Sequence, residues 1–469
     1  MYVAIKLGEV SGSNFGYVRR VGLAVVQHYK IEIGGTKLDE QYGDWLNIWY
    51  ELSHKVGQER GFSRMVGDVS ELTDINSNTK PQYQLYVPLQ FWFNRNNGLA
   101  LPLIALQYHD VRVTIDFRTA AQCVNLGPNE SVPSLQMDEA QLVIDYVYLD
   151  SEERKRFAQA SHEYLFEQLQ FTGSESVAGI VNRYRLNFNH PSKFLVWVAH
   201  LEKYTTHNDY LAYTTGSDWE AARERYAKIM WLATRAGLTK TGNDYTIAIT
   251  GNENEVSAPA AASWVSNINS KVTAQSIFAI DISGSMVASL DNVVLLTNNF
   301  TIEDLTNDSL SSLAVFGTAS STAIDFATDN SYSVVDHFNY ANNIDRSDNP
   351  IVAAKLQLNG SDRFQERDGH YFNYVQPWQH FSNTPSDGVN VYSFALKPEE
   401  HQPSGTCNFS RIDNATLNIR FGSKNNDGDS SYLSSFLGGS SSNSLLNIYT
   451  VNYNVLRVMS GMAGAAYSN

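Results

Sequence analysis

The chain has 469 residues, of which 43% are hydrophobic and 12% aromatic, and it carries a formal net charge of -15. That length allows two large domains or three small ones, each with a sizeable hydrophobic core. The acidic balance argues against a surface that grips nucleic acid, because phosphate binding needs clustered Lys and Arg. We expect any contact with a genome to be indirect.

Cysteine usage and the absence of apolar runs bear on the compartment. Cys123 and Cys407 are far apart in the sequence, so their spacing predicts neither a disulfide framework nor a thiolate zinc site. The first residues turn polar too quickly for a secretory signal, and no run of about 18 apolar residues occurs. We therefore predict a soluble protein with reduced thiols, made in the cytoplasm.

The first 150 residues mix strand patterns with one helix pattern. Residues 22–33 predict a strand that ends at the pair Gly34-Gly35, which readily forms a turn. Apolar residues at positions 45, 48, 49 and 52 have helical spacing and predict a short helix, followed by a loop over residues 53–80. Further strands are predicted over residues 82–93, 111–117 and 141–149, the last of them covered on both faces.

A charged segment follows, in which carboxylates precede bases in the order that a helix dipole favours. We predict that residues 151–164 are a linker with a short helix. In the next unit, strand patterns cover residues 165–171, 184–188 and 194–198, and a turn places His190 before Pro191. Residues 445–458 predict the closing strand.

The strand pattern is interrupted between about residues 203 and 347. Ser217 and Glu220 fit a capping box, and helical spacing continues from Trp219 to Ala233 until Gly237 ends it. The rest of the segment is rich in Ser, Asn, Thr and Ala, a composition typical of exposed regions. We predict a surface insertion that contains a short amphipathic helix.

Two stretches about 300 residues apart follow the same plan. In each, a strand ends at a glycine-containing turn, at Gly34-Gly35 or at Asn359-Gly360, and an aromatic segment follows. Each stretch then closes on strictly alternating apolar residues, at 111–117 and at 415–421, the period of a strand with one face in a core. The sequence therefore predicts two similar all-β units in tandem, over residues 1–150 and 165–469.

One turn carries the sharpest chemical signal. Asp281, Ser283 and Ser285 form an Asp-x-Ser-x-Ser pattern that resembles the metal-dependent adhesion site of von Willebrand A domains, with oxygen ligands suited to Mg²⁺. The sequence beyond it lacks the helices and further ligands of such a domain, so a plain turn is favoured. His109 beside Asp110 begins an alternating strand, which favours a structural role over acid–base chemistry. We predict no catalytic, cofactor-binding or metal site.

Seven strings outside the insertion carry a family resemblance, at residues 31–35, 42–45, 98–109, 167–173, 403–417, 452–457 and 461–464. They resemble the major capsid proteins of nucleocytoplasmic large DNA viruses, especially those of algal viruses. The resemblance implies a tandem double jelly roll whose trimers, with pseudo-hexagonal outlines, tile an icosahedral shell. It also implies an outward-facing insertion, minor capsid proteins as partners, and an internal membrane that is met only indirectly.

The resemblance also carries one departure. Relatives of this kind begin with further residues that supply the first strands, and the alternation before residue 150 indicates fewer than the eight strands of a jelly roll. We therefore expect the first jelly roll to be incomplete at its N-terminus.

Three functions of different classes follow from these patterns. The leading hypothesis is a structural protein without enzymatic activity or cofactor, made in the host cytoplasm and assembled with itself in the virion capsid. The alternative is a carbohydrate- or receptor-binding β-sandwich protein whose insertion binds the ligand. The third is an enzyme that uses Mg²⁺ at the Asp281 turn.

Overall fold

The computed structural model describes residues 1–73, 77–126, 130–177, 179–202, 349–422 and 444–467. Residues 204, 208 and 210–214 are also described, as is the backbone of four strands between residues 236 and 290. Throughout these ranges most of the regular structure is antiparallel β-sheet, and the helices are short.

The described residues of the first unit contain eight strands, two of them only three residues long. The alternation before residue 150 undercounted them, since strands this short show no period in the sequence. That the first jelly roll is incomplete at its N-terminus stays a prediction. In chain order they are β1 Tyr2–Leu7, β2 Phe15–Tyr17, β3 Val26–Ile33, β4 Thr36–Tyr42, β5 Tyr83–Pro88, β6 Val111–Phe117, β7 Val124–Leu126 and β8 Met137–Val143.

Helices interrupt the first unit more often than its sequence predicts. The helix predicted at positions 45–52 is present, but the predicted strand over 22–33 begins with a helical turn, and two helices occupy the predicted loop over 53–80. The helical turn at 21–25 is wholly buried, and a short apolar run does not distinguish a buried helix from a buried strand. The helices are α1 Val21–Val25, α2 Gly43–Ser53, α3 Glu59–Val66, α4 Ser70–Thr73 and α5 Trp92–Arg95.

Residues 141–149 do not form the doubly covered strand that their apolar run predicts. The strand β8 ends at Val143. Beyond it, Tyr146, Val147 and Tyr148 are 57%, 79% and 92% exposed. The prediction was wrong because periodicity reports which residues are apolar and not how many layers cover them.

The predicted charged helix is present as α6, Ser151–Gln159, and Asp150 caps it by accepting hydrogen bonds from the amides of Glu152 and Glu153 at 3.0 and 2.9 Å. The helix α7, Gln376–His380, continues a single π-helical turn over Tyr371–Val375. The strands of the second unit outside the insertion are β9 His162–Phe171, β10 Glu175–Ser176, β11 Val181–Arg185, β12 Pro191–His200, β17 Ile351–Leu358, β18 Ser361–Asp362, β19 Arg367–Asp368, β20 Asn390–Ser393, β21 Cys407–Asn408, β22 Ala415–Phe421, β23 Leu445–Met459 and β24 Met462–Ala465.

Within the insertion, four described strands form one antiparallel sheet in the order β13-β14-β16-β15. Their bounds are β13 Ala236–Thr241, β14 Asp244–Ile249, β15 Phe278–Ile282 and β16 Met286–Leu290. The helix predicted from Trp219 to Ala233 lies outside the described residues. Gly237, the predicted end of that helix, lies in β13.

The two units repeat one strand order. The sheets β5-β1-β8 and β4-β3-β6 of the first unit correspond to β20-β12-β23 and β18-β17-β22 of the second, in the same chain order and with antiparallel pairing throughout. Both hairpins turn through two residues of positive φ, Gly34-Gly35 at 58° and 78° and Asn359-Gly360 at 49° and 82°. A helix follows each hairpin. The predicted duplication is therefore confirmed.

Candidate functional site: the junction between the two units

The strand β12 is covered on both faces. Leu195, Trp197 and Ala199 point into the core of the second unit, whereas Phe194 and Val196 belong to a separate apolar cluster shared with the first unit. Alternate side chains of a strand leave on opposite faces, so this one strand contributes to two cores. The sheet that contains β12 is therefore the wall between the two units.

The helix α2 supplies the other side of this junction. Its residues Trp45 and Trp49 are one turn apart and pack against Phe194, with ring centroids 6.3 and 6.4 Å from that ring and planes tilted by only 20° and 22°. Trp45 also contacts Tyr449 of β23, at 5.5 Å between centroids. Since large buried aromatic side chains dominate packing energies, this cluster holds the units together.

A buried ion cluster adds charge pairing to the junction. Glu167 of β9 lies 2.8 Å from the guanidinium of Arg95 in the first unit and 2.8 Å from the Lys193 ammonium. Burial raises the pKa of the Glu167 carboxyl, but Arg95, a hydrogen bond with His401 and the Lys193 ammonium outweigh burial and lower that pKa to about 2. Burial lowers the pKa of the Lys193 ammonium, and the nearby Glu167 carboxylate acts to raise it. The carboxylate is thus the shared counter-ion of one buried cation, Lys193, and one partly exposed cation, Arg95.

A second buried carboxylate joins β4 to β9. Asp39 accepts a hydrogen bond from the Leu169 amide at 2.9 Å and another from the Gln41 side chain at 2.7 Å. Gln168, beside Leu169, donates to the Leu38 carbonyl. These bonds fix the alignment of the two units along the strands as well as their separation.

The ionisation of Asp39 gives a measurable pH dependence. Burial raises the pKa of this carboxyl from 3.8 to about 6, although hydrogen bonds from Leu169 and Gln41 act to lower it. Its stabilising contribution is therefore present while it is protonated and is lost as the pH rises through about 6.

We expect the free energy of unfolding to fall by about 2 kcal/mol between about pH 4.5 and 6.5 because of Asp39. The variant Asp39→Asn is expected to lack this fall. Urea unfolding of both proteins across this range measures it, and the difference between them cancels the other titrating groups. Parallel pH profiles for the two proteins would contradict the assignment.

The structure shows where the residues singled out in the sequence lie. His109 accepts a hydrogen bond from the Ala463 amide at 3.1 Å, and the Asp110 carbonyl accepts one from the Gly34 amide at 3.0 Å, so both tie loops together. Asp281 lies in β15, paired with Val287. Ser283 and Ser285, the other members of that turn, lie outside the described residues.

Cys123 is buried and Cys407 half-buried, and both are free thiols; burial raises the pKa of Cys123 to about 11. Across the described ranges, no three His, Cys, Asp or Glu side chains are grouped so that they could hold a metal ion. No helix in the same ranges has the length and apolar character needed to cross a membrane.

Comparison with known proteins identifies both units. Residues 2–150 match a family model described as the major capsid protein N-terminus, and residues 153–464 match one described as the large eukaryotic DNA virus major capsid protein. Capsid protein 1 of Acanthamoeba polyphaga mimivirus is 40% identical over 97% of this chain and 84% of its own length. The major capsid protein of Paramecium bursaria Chlorella virus 1 is 32% identical over 100% of this chain and 84% of its own.

A solved structure agrees with these sequence matches. The quasi-atomic structure of the PBCV-1 virus capsid aligns with a TM-score of 0.60 at 29% identity, covering 100% of this chain and 90% of the capsid chain. The fold is therefore the all-β tandem double jelly roll that the resemblance implied. The chain belongs to the major capsid protein family of large eukaryotic DNA viruses, whose members are structural proteins of the virion capsid and not enzymes.

Proposed function

We propose that this chain assembles as a homotrimer with a pseudo-hexagonal outline, and that these trimers tile an icosahedral shell. One observation carries the proposal: the two jelly rolls share one strand order and are held together by a buried apolar and ionic junction. Three copies of such a chain place six similar units around one axis, so a threefold assembly presents nearly sixfold edges to its neighbours. Closed symmetry is also the rule for homo-oligomers.

We propose that the insertion faces the outside of the shell. The chain enters the insertion after His200 at the end of β12, which pairs with Leu445 at the start of β23. The other end of β23 leads into the hairpin to β24. A strand of 15 residues at 3.3 Å per residue puts this hairpin about 50 Å from the insertion end. An insertion at one end of an upright jelly roll leaves the sides of the unit free for contacts between subunits.

We propose domain boundaries at residues 1–150 for the first jelly roll and 165–469 for the second, with the linker at 151–164 and the insertion at about 203–347. The two family models meet between residues 150 and 153, which supports the first boundary. All the residues of α6 up to Arg156 are exposed, as expected of a connection between two cores.

We propose that the chain is made in the host cytoplasm and that its partners are further copies of itself, neighbouring capsomers and minor capsid proteins. The net charge of -15 supports the absence of direct nucleic acid contact. An internal membrane would be met only through other proteins.

The assembly state tests this function directly. Size-exclusion chromatography with light scattering is expected to give three times the mass of the 52.4 kDa chain, and negative-stain images are expected to show hexagonal outlines. A monomer that binds glycans tightly would favour the alternative of a carbohydrate- or receptor-binding protein. A dimer or a tetramer would also contradict the proposal.

A further inference from the structure

The helix that follows the hairpin has the same apolar spacing in both units. In the first unit, the residues of α2 that belong to the junction lie at positions 45, 48, 49 and 52, which we call the α2 face. In the second unit, the π-helical turn and α7 have aromatic or aliphatic residues at positions 371, 374, 375 and 378, which we call the α7 face. Because both helical segments connect corresponding strands, the duplication makes the two faces counterparts.

The two faces differ in burial. All four residues of the α2 face are buried, and Trp49 is the most exposed of them at 7%. On the α7 face, Tyr374, Val375 and Trp378 are 37%, 40% and 78% exposed. A contiguous group of exposed apolar side chains marks an interaction surface, and Trp is enriched at the centres of such surfaces. The second unit therefore carries an uncovered counterpart of the face that forms the junction.

Buried polar side chains hold the α7 segment in place. Asn373 donates hydrogen bonds to the carbonyls of Ser386 and Val389, both at 3.1 Å. Gln376 accepts one from the Ser393 amide at 3.0 Å, which ties the helix to β20. The exposed side of the helix is thus pre-organised, so a partner that packs on it orders little additional chain.

The junction within the chain shows what such a face packs against. The α2 face covers the outward side of the β20-β12-β23 sheet, where Val196 lies between Val391 and Tyr449. The corresponding sheet of the first unit is β5-β1-β8. On its outward side, Ala4 pairs with Tyr86, which is 40% exposed. The outward side of β1 and β5 is therefore the counterpart of the sheet surface in the junction.

We propose that the α7 face of one copy packs against the outward side of β1 and β5 in the next copy. Trp378 and Tyr86 are both exposed in the single chain, so the two surfaces are available to different copies. They are different patches of one chain, and a contact of this head-to-tail kind generates a ring when its rotation closes. This inference rests on the proposed trimer and names the surfaces that form it.

Cross-linking of paired cysteines tests the contact in the full chain. The double variant Trp378→Cys and Tyr86→Cys, treated with a short bismaleimide, is expected to give covalent dimers and trimers on a denaturing gel. Each bridge would join position 378 of one copy to position 86 of the next. Either single variant is expected to remain monomeric on the gel, and the wild type, with Cys123 and Cys407, gives the background.

Val181 provides a matched control. It is 71% exposed, but it lies on β11, at the opposite edge of its sheet from β18 and the hairpin that precedes the α7 face. The pair Val181→Cys and Tyr86→Cys is expected to give no covalent oligomer. Light scattering of dilution series is expected to show that Trp378→Ala raises the concentration at which the trimer dissociates by about tenfold or more. Val181→Ala is expected to leave it unchanged.

The two measurements separate the failure of this inference from the failure of the trimer. A trimer in which positions 378 and 86 cross-link no better than positions 181 and 86, and which Trp378→Ala does not weaken, would overturn the inference and leave the proposed function standing. A wild-type chain that stays monomeric would overturn both. Covalent dimers from Trp378→Cys alone would show that two α7 faces meet each other, which would also overturn the inference.

Discussion

Replacing Glu167 with Gln is expected to lower the free energy of unfolding by about 3 to 5 kcal/mol, the usual cost of removing one partner from a buried ion cluster. The change leaves the Arg95 guanidinium and the Lys193 ammonium without their shared counter-ion. Since the Lys193 side chain is only 1% exposed, the desolvation of its ammonium is no longer offset, whereas Arg95 is 22% exposed and keeps some contact with water. Urea or guanidinium unfolding at neutral pH measures the loss.

The same strand offers a matched control. Glu163 pairs with Arg457 at 2.9 Å, but the two side chains are 57% and 56% exposed. Glu163→Gln is expected to cost at most about 1 kcal/mol, because exposed pairs are screened by water and salt. Equal losses for the two variants would contradict the role assigned to the junction cluster.

The second large effect is expected at the aromatic junction. Phe194→Ala should cost about 3 to 5 kcal/mol, since it opens a cavity between α2 and the sheet. Phe194 is fully buried and contacts Trp45, Trp49 and Phe381. Hydrogen exchange is expected to accelerate along α2, because Trp45 and Trp49 of that helix lose the ring they stack on in the second unit.

Leu195→Ala is the control, because Leu195 is equally buried but points into the core of the second unit. This variant is expected to lower the free energy of unfolding by about 2 to 5 kcal/mol. The difference between the opening free energy of α2 and that of global unfolding is expected to stay as in the wild type. Accelerated exchange of α2 in both variants would show that the two faces of β12 are not separate contacts.

Strands with a clear period of two were predictable, as was the duplication. The alternation at 111–117 and 415–421 matched β6 and β22, and the helical spacing from Trp45 to Leu52 matched α2. Apolar runs without a period were not predictable in detail. Residues 21–25 formed a buried helical turn, and Tyr146 to Tyr148 remained exposed, because hydrophobicity alone does not specify which element covers a residue.

The junction was the part that local patterns did not reveal. Arg95, Glu167 and Lys193 form no motif with one another, and their proximity depends on how sheets from two units pack. One signal was present in the sequence: Glu167 lies in register with the apolar positions Leu165 and Leu169 of its strand. A charged residue on the apolar face of a strand must be buried and paired, unless the strand itself is wrongly assigned. A buried ion pair at Glu167 could therefore have been predicted.

The junction also determines how a shell of such subunits would respond to pressure from within. The covalent tether between the two halves is the exposed segment around α6, whereas α2 and β12 meet through close-packed rings and Arg95 of the first half pairs with Glu167 of the second. Lateral strain would therefore pass through many short-range contacts before the tether tightened. Because a packed interface resists compression as well as separation, each subunit would move as one rigid body, without hinge motion between its two jelly rolls.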